Sequence, residues 1–167
     1  MTLTTALSMT QRQKFFSPET KMKEFESVSA SLRTNLSFLN QWKLEPCGDS
    51  ISRSTLLGER LLISYSSKIS GRSIRIYYSS ASVGKPAKFS TFIDSGDGQS
   101  FFLDDYLLEH GQKKMLKLFR NESPEKPTQE FSRDFARILQ VVLENSFSNL
   151  LLGKSWEITP FDWSPYK

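Results

Sequence analysis

Arg72-Ser73-Ile74-Arg75-Ile76-Tyr77-Tyr78-Ser79, followed by Lys88-Phe89-Ser90-Thr91-Phe92-Ile93, is the stretch whose reading decides the fold. Large side chains of one kind recur there at every second position. A period of two marks a strand with one buried face. Ile74, Ile76 and Tyr78 face one way in the first segment, and Arg75 and Tyr77 the other. Phe89, Thr91 and Ile93 align in the second, which runs from Ala87. Upstream, Thr55 to Ser66 carries Leu57, Leu61, Ile63 and Tyr65 on one face. Before that, Trp42, Leu44 and Pro46 alternate with Lys43, Glu45 and Cys47, a short strand stopped by Gly48-Asp49. Downstream, Gln99 to Leu103 makes a fifth strand. Turn-forming residues separate the later strands: Lys68 to Gly71, Val83-Gly84-Lys85-Pro86, and Asp94-Ser95-Gly96-Asp97-Gly98. Five strands joined this closely predict an antiparallel meander.

Helical patterns flank the strands. Ser17-Pro18-Glu19 combines a capping hydroxyl, a proline suited to the first helical position and an acid suited to the positive end of the helix dipole. Met22, Phe25, Val28, Leu32, Leu36 and Leu39 then recur at helical spacing, predicting an amphipathic helix that ends near Asn40. After the strands, Asp104 is expected to cap a short helix from Asp105 to His110, and Lys113 to Phe119 to continue the helical path. Arg120 to Pro127 is expected to be a loop, and Thr128 to cap a last long helix with Phe131, Phe135, Ile138, Leu139, Val142 and Leu143 inward. The aromatic tail, with Trp156, Phe161 and Trp163, should dock on the domain. The expected class is α+β: an N-terminal helix, a sheet of about five antiparallel strands, and C-terminal helices packed on one face. Residues 1–16 are expected to form a flexible arm, and residues 17–167 a single domain.

Composition bounds the function. The chain has 167 residues with 38% hydrophobic content and 13 Phe, enough for a real core and against wholesale disorder. No apolar run approaches the ~20 residues of a membrane span. A single Cys47 excludes an internal disulfide or a cysteine-based zinc site, and a single His110 excludes any site needing two. With no secretory leader pattern in the first residues, these features point to a cytoplasmic protein. Serine is over-used, with 26 copies, many placed at strand ends and turns.

The net charge of +4 is unevenly spread. Between Ile51 and Ile93 seven cations (Arg53, Arg60, Lys68, Arg72, Arg75, Lys85, Lys88) meet Glu59 alone, or +6, whereas residues 101–167 carry nine cations and ten acids, or −1. An acidic partner or a phosphate backbone would be drawn to the central stretch.

Catalytic constellations are poorly supported. Asp104, Asp105, Glu109 and His110 form the one dense acid–histidine cluster, and a cap beside a solvated helix face accounts for it. Asp94 to Gly98 lacks the ligand run of a calcium loop and reads as a hairpin turn. No glycine pattern matches a phosphate cradle, and Cys47 reads as an inert thiol. The expectation is therefore no enzyme, no metal and no cofactor.

The second face of the sheet is more informative. If Leu61, Ile63, Tyr65, Ile74, Ile76, Tyr78, Phe89 and Ile93 pack on the helices, alternation puts Arg60, Leu62, Arg75, Tyr77, Lys88, Phe92 and Phe102 opposite. Arg60, Arg75, Tyr77, Lys88 and Phe92 are the candidate partner-binding residues. Tyr, Phe and Arg suit a protein interface. Basic–aromatic faces also stack bases and pair phosphates. A third reading has the C-terminal tail covering the face.

The segments from Arg72 to Ser79, Lys88 to Ile93 and Phe101-Phe-Leu-Asp-Asp-Tyr-Leu-Leu108, with Leu150-Leu151-Leu152-Gly153-Lys154 at the end, resemble small bacterial α+β proteins of the immunity-like or uncharacterised type. The resemblance covers the layout of residues 55–156 and rests on packing motifs. It implies a small, cytoplasmic, non-enzymatic protein. The layout is also similar to type III secretion chaperones, which usually dimerise and are acidic. The expected function is thus a protein-binding module, with a toxin-immunity or accessory role. The alternative is nucleic-acid binding. A protein is the expected partner, with a homodimer open and no membrane association.

Overall fold

The computed structural model describes residues 17–123, 125–158 and 162–166. The expected arm, residues 1–16, and Phe161 lie outside the described residues. Helix α1 (Pro18–Asn35) starts as its sequence dictates: Ser17 Oγ accepts the Thr20 N–H at 3.2 Å, and Pro18 sits in the first turn. A 3-10 helix (Ser37–Trp42) follows and ends at Lys43, which takes a left-handed conformation. Strands β1 (Glu45–Ser54), β2 (Gly58–Ser66), β3 (Ser73–Ser79), β4 (Ala87–Asp94) and β5 (Ser100–Phe102) come next. Helices α2 (Leu103–Glu109) and α3 (Lys113–Leu118) lead to a short strand β6 (Arg120–Asn121). Helix α4 (Thr128–Val142) runs through a π-helical segment (Leu143–Phe147) into α5 (Ser148–Leu151), and a 3-10 turn (Ser164–Tyr166) lies near the end.

The sheet is an antiparallel meander ordered β1-β2-β3-β4-β5, with β6 added to β4. Its strand β4 is bordered at one end by β5 (Phe92 opposite Phe102) and at the other by β6 (Lys88 opposite Arg120). On the far side β1 is the edge. The helices form a second layer on one face, so the α+β expectation holds. Burial alternates strictly along β3 and β4. Tyr78 and Phe89 from the sheet meet Phe25 from α1 and Phe131 and Phe135 from α4. The Phe89 and Phe135 rings stack with centroids 4.1 Å apart. Burying one such phenyl ring stabilises the fold by about 1.5–3 kcal/mol.

Several boundaries differ from the sequence reading. The first helix ends at Asn35, because the chain tightens into the 3-10 turn that buries Leu39 and Trp42. The first strand begins later and passes through Gly48 with a register shift between Pro46 and Gly48; the glycine makes a bulge rather than a stop. Thr55 to Leu57 is a hairpin turn, and Leu57 is exposed. Asp104 caps nothing: it lies inside α2, buried. Arg120-Asn121, expected in a loop, pairs with β4. The first residue of α4 is Thr128, and it gives no capping side-chain bond.

Candidate interaction surface

The face turned away from the helices is built from alternate residues of every strand. Register sorts them into transverse rows. Ser52 lies opposite Arg60, Ser79 opposite Lys88, and Lys88 opposite Arg120. One step beyond the Leu61–Tyr78 pair, Ser79 falls beside Arg60, so this first row carries Arg60, Lys88 and Arg120. The second row is Ser50, Leu62, Tyr77 and Ser90, and the third is Gly48, Ser64, Arg75, Phe92 and Phe102. The fourth is Ser66, Ser73, Asp94 and Ser100. Cations thus occupy one end, rings and Leu62 the middle, and serines with a carboxylate the other end.

The middle is a ladder of rings and guanidinium groups. Arg60 lies over the Tyr77 ring at 4.3 Å, and Arg75 over the Phe92 ring at 5.2 Å. Tyr77 meets Phe92 edge to face at 5.7 Å, and Phe92 stacks on Phe102 at 4.6 Å. Arg75 donates from Nε and Nη2 to both oxygens of Asp94, and from Nη1 to the Tyr77 hydroxyl at 3.1 Å. Ser100 donates to the same carboxylate at 2.7 Å. Burial alone would raise the Asp94 pKa, but the hydrogen bonds from Arg75 and Ser100 and the nearby positive charge outweigh it. The carboxyl is held below its ordinary range.

Four of the five sequence candidates, Arg60, Arg75, Tyr77 and Phe92, come together in this ladder. Lys88 stands apart in the cationic row, where its ammonium lies 3.0 Å from the buried Asp104 carboxylate. Burial pushes the Asp104 pKa up, and the Lys88 charge works against that shift. All five are half-buried, flanked by their sheet neighbours. The described part of the tail packs elsewhere. Trp156 lies against Phe101 and beneath Arg72, and Trp163 is buried beside Tyr106. Phe101 is on the helix side, opposite Ile93.

Sequence reasoning counted the cations and missed the acids that answer them. Asp94 lies one residue past the basic stretch and Asp104 eleven beyond it, yet each reaches a cation within it. Alternation could have found Asp94, which shares a strand face with Phe92. Arg120 was missed because its two-residue strand carries no periodic signal. Arg53 pairs with Glu59 at 3.2 Å. Among the described residues, neither Arg60 nor Arg120 has a carboxylate within ion-pair distance.

The acid–histidine cluster disperses. Asp104 is buried, Asp105 and Glu109 are exposed, and His110 packs on the Tyr106 ring with Nδ1 2.9 Å from the Tyr106 carbonyl oxygen. Among the described residues no three His, Cys, Asp or Glu converge on a metal-sized site. No described helix is long and apolar enough to cross a membrane. Comparisons with protein-family models, curated proteins and solved structures each gave no match.

Proposed function

We propose that this chain is a non-enzymatic protein-binding module that engages its partner through the open sheet face, in an accessory or toxin-immunity role. The observation that carries the reading is the pre-ordered ladder Arg60–Tyr77–Arg75–Phe92–Phe102 on a face the described tail does not cover. Arginine and aromatic side chains already fixed by one another lose little rotamer freedom on binding. Such residues anchor protein interfaces.

Two features favour protein over nucleic acid. Base stacking needs free ring faces, whereas Tyr77 lies under Arg60 and Phe92 between Arg75 and Phe102. Phosphate tracking uses a run of unpaired cations, whereas on this face Arg75 is paired with Asp94 and Lys88 with Asp104, which leaves Arg60 and Arg120.

The test is a photo-crosslinking amino acid placed at Leu62 on the open face, and separately at Arg133 on the exposed side of α4, in cells of the source organism. A protein adduct from the Leu62 position, absent from the Arg133 position and lost on Tyr77→Glu, is the expected result. Adducts to nucleic acid, or the same adducts from both positions, overturn the reading.

A further inference from the structure

Resting on that reading, we propose that the partner presents an acidic segment, which lies across the row Arg60, Lys88 and Arg120 while an apolar side chain beside it seats on Leu62. Neighbouring strands are about 4.8 Å apart. Lys88 and Arg120 are on adjacent strands, and Arg60 is two strands from Lys88. Three cationic side chains therefore start from one transverse row of the sheet, with Leu62 and Tyr77 in the next row.

The cations of this row are not equivalent. Lys88 already answers Asp104, whereas Arg60 and Arg120 have no carboxylate in reach among the described residues. Arg60 lies over the Tyr77 ring, and its Nε is buried with no hydrogen-bond partner. The guanidinium's remaining N–H groups can donate to an incoming carboxylate in a forked geometry.

The positive sign continues past Arg120. There a cleft of about 870 Å³ opens between the start of α1, the β3–β4 connection and β6. Lys85 and Lys126 line it with Arg120. Two carboxylates also line it, Glu24, which accepts from the Tyr78 hydroxyl, and Glu122, and Lys126 is shared with Asp134. The cleft keeps a slight excess of cations, so the attraction for acidic groups is strongest along the row itself.

The probes are two fluorescent synthetic peptides, one alternating glutamate with leucine and one alternating lysine with leucine, together with polyuridylate, each titrated into the full chain. The glutamate peptide is expected to bind. Arg60→Glu with Arg120→Glu should weaken it about tenfold or more. Arg133→Glu with Arg137→Glu, on the exposed side of α4, makes the same charge change elsewhere and should leave affinity within about twofold. Equal affinity for both peptides, equal loss from both double variants, or tighter binding of polyuridylate overturns the proposal. Crosslinking separates this failure from failure of the functional reading. A protein captured at Leu62 through a segment without acids sinks the acidic-segment proposal and leaves the protein-binding reading standing.

Discussion

Arg75 and Asp94 meet in a two-pronged ion pair across β3 and β4, with Nε 2.6 Å from Oδ2 and Nη2 2.7 Å from Oδ1. Asp94 is the more enclosed partner, at 16% side-chain exposure against 37% for Arg75. The pair fixes the guanidinium over Phe92, so it orders the face as well as stabilising the sheet.

Arg75→Leu should cost about 1–2 kcal/mol in chemical denaturation, a figure discounted for the exposure of the arginine. Because the Asp94 carboxyl is held below its ordinary range, its contribution is complete above the unfolded value. It is lost as pH falls through the folded one. The wild-type denaturation midpoint should therefore drop as pH falls below about 4, and Asp94→Asn should flatten that drop. An unchanged slope in the variant would show that the pair adds nothing.

The Lys88–Asp104 pair behaves differently, because its acid is more deeply buried and burial there outweighs the pull of the cation. Removing the cation alone strands a charge, so Lys88→Met should cost about 1–3 kcal/mol. Removing the charge itself, Asp104→Asn, should change stability by less than about 1 kcal/mol, and the double variant should be more stable than Lys88→Met alone. The raised Asp104 pKa adds a sign: its ionisation opposes folding, so stability falls as pH rises through the folded value. Asp104→Asn should remove that part of the pH profile.

Tyr78 is 1% exposed and donates its hydroxyl to Glu24. Burial first, then the Glu24 carboxylate, drives the phenol well above its ordinary value. Stability from this group is full below about pH 10 and is lost as pH rises further. In an ultraviolet tyrosinate titration, four of the 5 tyrosines at most should ionise before the fold opens. Ionisation of all of them within a still-folded protein would contradict the burial.

Gly153 closes the turn after α5 at φ +76°, and a Cβ placed there would stand 3.0 Å from the Ser70 Cβ and 3.2 Å from its Cα. Gly153→Ala should destabilise by about 1–3 kcal/mol, combining left-handed strain with the contact. Gly98→Ala has the positive φ but open space around it, so its loss should be smaller. Thermal denaturation of the two variants separates strain from crowding.

The faces of the central strands were legible because Ile74, Ile76 and Tyr78, and again Phe89 and Ile93, repeat with a period only a half-buried strand requires. The ladder followed from the same alternation. The neutralising partners were not legible. Asp94 reads locally as a turn residue and Asp104 as a helix cap, because each has local chemistry that suits those roles. Their actual partners are set by strand register and by where α2 enters the fold. Gly48-Asp49 failed for a related reason: Asp49 looked like a stop, but it pairs with Arg33 and Ser29 of α1, and the strand runs on past it.

The bordering of β4 by two separate short strands limits how this sheet can join another. Its outer backbone is claimed near Phe92 by β5 and near Lys88 by β6. Among the described residues the longest sheet margin is therefore the opposite one, along β1. There Pro46 lacks an N–H, and the bulge at Gly48 breaks the regular run of donors. On that margin the segment from Ser50 to Ser54 keeps the regular alternation of donors and acceptors.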